Sequence, residues 1–302
     1  MIIGIPRALA YHRYGTLWET FFQELDIQTV TSAETNPELL TAGQAHSVDE
    51  SCLPLKLYMG HVASLLERCD LLLCPRFLRF SRKEEFCVRF WGLPDMVETS
   101  FSQVRLLTYE QKSSFPGAEW LGFLQMAKVL GKSSIAAARA YDVAQSCQRE
   151  ADFLRFVENS APLQVKGTKI LVAAQSYVNH DPWLGGTVTR LVRDLGAVPV
   201  FVEGFERRAC REAGRMISKD LYWTLNQEIL GAIYLAQRQV DGILLLTAFP
   251  CGSEVLANEL ILRRVKELPV IQIILDEHQS QEGLATRIES FLDMIKGRRG
   301  VL

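Results

Sequence analysis

Three cysteines stand in settings suited to metal-ligand chemistry. Cys52 begins the stretch Cys52-x-Pro54-x-Lys56 that runs on to Gly60 and His61. Cys87 follows Phe86, downstream of the apolar run at 71–75. Cys251 lies in Phe249-Pro250-Cys251-Gly252-Ser253, after the apolar run at 242–246. A thiolate is a soft ligand, and the free N–H groups and positive end of a helix favour loss of the thiol proton. Pro54 fits the first turn of a helix expected over 52–66, with Asp49 or Ser51 as its cap. Gly252 lets the backbone approach a ligand closely beside Cys251. A cysteine taken alone is more often inert, because it packs as a small hydrophobe. Cys69, Cys74, Cys147 and Cys210 keep that reading.

Other polar residues have two readings each. Lys56 comes one helical turn after Cys52 and shares its face, either to offset cluster or phosphate charge or as a solvated lysine. His61 is either a contact for substrate or cluster, or a histidine satisfied locally near a helix end. Asp276, Glu277 and His278 follow an apolar strand at its carboxyl end, where α/β active sites gather, yet the same residues also make polar turns. Asp181, before Pro182 and after the strand at 168–174, has the same ambiguity, and Ser253 adjoins the Cys251 motif. Arg76, Arg79, Arg82, Lys83 and Arg89 make the segment around Cys87 basic, as a solvated loop or as a docking face for phosphate or a protein.

The elements that must position these groups alternate between strand and helix. Apolar strands are expected at 2–6, 28–31, 70–75, 104–109, 168–174, 198–202, 242–248 and 270–275. Helical spacing is expected at 14–25, 52–66, 185–195, 220–237, 253–266 and 282–295. Residues 76–94 read as an unusually long loop with many charges and aromatics, and such loops are often functional. The pattern is α/β: two Rossmann-like domains with parallel sheets, residues 1–115 and 167–302, joined by a helical connector at 116–166 that breaks at Gly131.

Composition narrows the function. The chain has 302 residues, 48% of them hydrophobic, enough for two cores. Its net charge of -2 gives no electrostatic case for nucleic acid or an anionic membrane. No apolar run reaches the ~18–20 residues of a membrane span, and the first residues do not have the form of a signal peptide. A cytoplasmic location follows as an expectation, where thiols stay reduced. Seven widely spaced cysteines with no CxxC pair argue against a disulfide framework, a zinc ribbon or a redox dithiol. Gly131-Lys132-Ser133-Ser134 imitates the end of a phosphate loop, but Met126 stands where the loop needs glycine, and no GxGxxG occurs.

Taken together, the motifs resemble the 2-hydroxyacyl-CoA dehydratase superfamily, closest to the acyl-CoA dehydratase activase-related proteins. The marks are Gly4-Ile5-Pro6-Arg7-Ala8-Leu9, the Cys52 motif through His61, Cys87 with Gly92-Leu93-Pro94-Asp95, Phe249-Pro250-Cys251-Gly252, and Asp276-Glu277-His278 with the stretch from Gly283 to Glu289. The resemblance implies a 4Fe–4S cluster held by Cys52, Cys87 and Cys251. It also implies an ATP-hydrolysing activator protein as electron donor and a bound substrate such as an acyl-CoA, in anaerobic metabolism. Lys56, His61, Asp181, Ser253, Asp276, Glu277 and His278 are then candidates to surround the cluster or substrate. A catalytic chain would be a lyase (dehydratase) or a component of an ATP-coupled reductase, and homo- or hetero-oligomers are both compatible. Ser253-Glu254-Val255 departs from the family's usual Gly-Pro-Asp-Ser, which suits an alternative: a non-catalytic iron–sulfur electron-transfer or accessory subunit of a larger complex. A third reading is a two-lobed, metal-free binding protein.

Overall fold

A computed structural model describes residues 1–81, 84–112, 118–278 and 281–298. Arg82 and Lys83 of the basic segment, and the start of the expected connector at 116–117, lie outside the described residues. The chain is α/β with parallel sheets; thirteen α-helices occur among the described residues. It divides into two compact units, one of residues 1–152 with 222–224, the other of residues 153–221 with 225–302.

The first unit opens with β1 (Ile2–Ile5), α1 (Tyr11–Glu24), β2 (Gln28–Thr31), α2 (Pro37–Ala45), α3 (Leu53–Ala63) and β3 (Leu71–Leu73). Short pieces follow: β4 (Arg76–Phe77), β5 (Arg79–Ser81), β6 (Glu84–Glu85), α4 (Val88–Trp91), α5 (Leu93–Ser100), β7 (Leu106–Leu107) and β8 (Glu110–Gln111). The helices α6 (Ala118–Val129) and α7 (Ser134–Ser160) complete it, α7 carrying the chain into the second unit. Gly131 sits between them at φ +70, the left-handed conformation that ends a helix.

Four strands pair in parallel in the order β2-β1-β3-β7. Their lengths of two to four residues suffice because Ile3, Ile5, Leu72 and Leu73 are all essentially sealed from water. Residues 76–94, expected as an open loop, are ordered into strand and helix. Arg76 N–H donates to Tyr109 O and Leu78 N–H to Gln111 O, which extends the sheet's pairing past β3. Phe77, Phe86 and Phe90 are buried against one another, with ring centroids 5.4 Å apart for both Phe77–Phe86 and Phe86–Phe90. The many charges in this segment hid an aromatic core.

The second unit contains β9 (Lys169–Ala173), α8 (Ser176–Asn179), α9 (Gly185–Asp194), β10 (Val198–Phe201), α10 (Arg207–Gly214), α11 (Thr224–Ala236), β11 (Gly242–Ala248), α12 (Gly252–Arg264), β12 (Val270–Leu275) and α13 (Gln281–Arg298). Its sheet is parallel in the order β10-β9-β11-β12. Within each unit the second strand lies outside the first, and the third and fourth lie on the other side. Every residue of β11 is buried, matching its unbroken apolar sequence.

A close helix crossing fixes the geometry of the first unit. A Cβ added at Gly43 of α2 would fall on the carbonyl oxygen of Lys56, and one added at Gly60 of α3 on that of Leu39. The two backbones touch with nothing between them. Gly60→Ala should therefore lower stability by more than about 3 kcal/mol in chemical denaturation, because neither carbonyl can move without moving its helix. Gly92→Ala, whose added Cβ would meet its nearest neighbour at 3.6 Å, is the near-neutral comparison. A Gly60→Ala change under about 1 kcal/mol would contradict the packing described.

Candidate functional site

The three motif cysteines share one structural position: each is the N-cap of a helix. Cys52 caps α3, Cys87 caps α4 and Cys251 caps α12, all with extended backbone. Asp49 and Ser51, the caps expected for α3, do not hold that position; Ser51 is buried just before it. Cysteine is not among the residues favoured at N-caps, where Ser, Thr, Asp and Asn supply a good acceptor. Asn36 and Glu206 fill that ordinary role at α2 and α10, accepting from Leu39 N–H and from the N–H groups of Arg208 and Ala209.

The other four cysteines are placed differently. Cys74 is sealed at the end of β3 and Cys210 is sealed inside α10, and burial pushes each thiol up to about 12. Cys69 is raised by burial as well, and its Sγ donates to Leu65 O at 3.2 Å. Cys147 lies in the interior of α7. None of the seven is in a disulfide.

Ser32 follows β2, and its Oγ lies 2.8 Å from His61 Nδ1. From His61 the chain descends to the start of β3 within residues 62–70. The nine residues from Cys52 to His61 rise about 13 Å along the helix, which separates the capped end of α3 from the Ser32–His61 contact at the carboxyl edge of the strands. The segment carrying Cys87 leaves that same edge after β3. It is clamped there by Arg76, which donates to Trp91 O at 2.5 Å and to both oxygens of Asp95 at 2.6 and 2.7 Å. Trp91 Nε1–H adds a bond to Leu78 O at 3.0 Å. Ser51, next to Cys52, and Arg89, close after Cys87, line one cavity of about 550 Å³.

The Cys251 turn is held by a relay within the second unit. Gln175, just past β9, donates to Asn226 Oδ1 at 2.5 Å, and Asn226 Nδ2 donates to Ser253 O at 2.8 Å. Ser253 Oγ lies 3.5 Å from Cys251 Sγ. Glu254 is 5% exposed, and its Oε2 has no partner among the described residues. Burial pushes its carboxyl up to about 8 against the lowering effect of hydrogen bonds from the Ala248 backbone and the Cys251 side chain. Cys251-x-x-Glu254 has the spacing of a capping box with cysteine in place of serine, a signal that the sequence reading passed over.

The remaining candidates divide. Lys56 is buried, which removes the solvated-lysine reading. His61 is fully buried, its second nitrogen 3.1 Å from Thr35 Oγ1, so both ring nitrogens are engaged by hydroxyls of the β2–α2 connection. Asp181 is buried and accepts from Trp183 N–H and Leu184 N–H, each at 2.9 Å, shaping the turn before α9. Asp276 and Glu277 line a small cavity with Trp183 and Leu184 of that turn and Thr187 of α9, and Asp276 accepts from His278 N–H at 2.8 Å. The structure thus gathers Asp276 and Glu277 near the Asp181 turn, and keeps His61 with the first unit's core.

Three thiols presented at helix starts suit an iron–sulfur cluster as a donor set, since such clusters take thiolates. Gly252 leaves open space after Cys251, with nothing within 4 Å of an added Cβ. Among the described residues, no three His, Cys, Asp or Glu side chains gather closely enough to hold a metal ion. No described helix is long and apolar enough to cross a membrane.

The comparisons with known proteins agree with the motifs at the level of family. The chain belongs to the family described as the CoA enzyme activase uncharacterised domain (DUF2229), whose model matches residues 2–204. The match takes in Cys52 and Cys87; Cys251 lies beyond it. No protein of curated function matches the chain. Among solved structures, ZnuA is similar at 12% identity, covering 97% of this chain and 98% of its own, with a TM-score of 0.28. A Mn-bound periplasmic metal binding protein from Candidatus Liberibacter asiaticus is similar at 10% identity, covering 98% and 100%, with a TM-score of 0.28. The laminin-binding adhesin Lmb from Streptococcus agalactiae follows at 11% identity, 98% and 99% coverage and a TM-score of 0.26. Scores this low carry no argument about fold or ligand.

Burial pushes the His61 imidazole down to about 4, with the Arg7 charge adding to the effect. The unfolded chain takes a proton on this residue near pH 6.5, whereas the folded chain does so only near pH 4. Between those values acid favours unfolding, so stability should fall on the order of 3 kcal/mol as pH drops from about 6.5 to about 4. His61→Gln should flatten that part of the stability–pH curve; an unchanged slope in the variant would contradict the assignment.

Proposed function

We propose that the chain is a cluster-binding component of a 2-hydroxyacyl-CoA dehydratase-like system, built on two Rossmann-like domains. Cys52, Cys87 and Cys251 are its thiolate ligands to a 4Fe–4S cluster. The observation that carries the reading is positional. The three cysteines singled out by motif are the three that cap helices, and the other four are not caps. Family membership supplies the link to CoA enzymes.

The chain's own residues have definable tasks in this reading. Cys52 and Cys251 present sulfur at the starts of helices of 11 and 13 residues, whose N–H groups and dipoles favour thiolate. The Arg76 clamp fixes the segment that carries Cys87, and the Gln175–Asn226 relay fixes the turn that carries Cys251. Burial pushes the Glu254 carboxyl toward its neutral form, which lowers the negative charge beside the Cys251 sulfur. When bound, such a cluster supplies a low-potential one-electron carrier. With no phosphate loop in the sequence, ATP-driven reduction falls to a separate activator protein. A bound substrate such as an acyl-CoA would be the acceptor.

Anaerobic purification followed by iron and sulfide analysis tests the proposal. About four irons per chain are expected, lost on replacing Cys52, Cys87 or Cys251 by serine. Cys69→Ser and Cys147→Ser should retain them. A colourless, iron-free anaerobic protein would contradict the reading.

A further inference from the structure

We propose that the cavity of the first unit is a binding site for a small amphipathic oxyanion: one carboxylate or phosphate head on a short apolar body. The cavity measures about 550 Å³, and all of its lining comes from that unit. This falls within the ~300–1,000 Å³ typical of small-molecule sites. Leu55 and Met59 share a face of α3, one turn apart, and are 2% and 3% exposed; Met96 of α5 joins them in the lining. Val48, 63% exposed, also lines the cavity and with Met96 presents apolar surface to a hydrocarbon body, backed by the buried Leu55 and Met59.

Charge at the lining selects the head group. Asp95 is the acidic residue of the lining, and its two oxygens are taken by Arg76 at 2.6 and 2.7 Å. That guanidinium holds the Asp95 carboxyl below the usual carboxylate range. Arg89 is half-buried in the same lining and meets neither an ion-pair nor a hydrogen-bond partner among the described residues. A half-buried guanidinium that meets no anion among the described residues is the group that a planar carboxylate or a phosphate pairs with. An amine would meet repulsion from Arg89, and a neutral alcohol would leave its charge unmet.

The assignment stands on the lining alone and does not depend on the cluster reading, so it can be tested on the full chain whether or not iron is bound. The test is calorimetric titration with octanoate, octyl phosphate and octanol. At least one of the anions should bind about tenfold or more tightly than octanol, and the stronger of the two identifies the head group. Arg89→Met should erase that advantage. Thr99→Trp, a replacement at an exposed lining position, should block all three ligands while leaving the fold intact. Octanol binding as tightly as both anions, anion affinity unchanged in Arg89→Met or in folded Thr99→Trp, or no binding by any of the three would overturn the proposal.

Discussion

The contact between the backbones of α2 and α3 is the constraint on which the first unit depends. Two glycines, Gly43 and Gly60, let each helix rest on a carbonyl of the other. That contact sets the angle at which α3 leaves the sheet, and so where Cys52 stands. The second unit uses the same device. A Cβ at Gly231 of α11 would fall on Cys210 O of α10, and one at Gly214 would come 2.5 Å from Gln227 O. The crossing seats α11, and Asn226 at its start then reaches both Gln175 and the Ser253 carbonyl. In each unit a glycine-based crossing supports a segment that carries a motif cysteine.

The shared strand order explains why these segments emerge where they do. In an open parallel sheet the loops at the carboxyl ends of the strands are the ones free to build a site. Cys87 and Cys251 both follow the third strand of their own sheet, β3 and β11. Burial favours the neutral form of one polar residue in each unit. His61 is held uncharged between two hydroxyls, and Glu254 is pushed toward its neutral form. Uncharged partners cost less to bury than charged ones.

Much of this was legible in the residues. Unbroken apolar runs such as 71–73 and 242–246 fixed the buried strands, and Pro54 marked a helix start. Motif resemblance isolated Cys52, Cys87 and Cys251, which spacing alone did not separate from the other four. What escaped depends on contacts distant in sequence. The charges around 76–94 concealed Phe77, Phe86 and Phe90 because alternation is hard to read through arginines that snorkel. Gly43 and Gly60 carry no local mark of the crossing, which depends on the carbonyls of Lys56 and Leu39 opposite them. The burial of Lys56 and the isolation of Arg89 depend on which side chains fold against them, and no local pattern encodes that.

The claim at the centre of this account is that three capping thiols act as one ligand set. Thiol footprinting by alkylation and mass spectrometry, before and after anaerobic reconstitution with iron and sulfide, reads it directly. Cys52, Cys87 and Cys251 should be alkylated in the apo protein and become protected together on reconstitution, while Cys147 keeps its reactivity. Protection that is absent, or that falls on one of the three without the others, would contradict it.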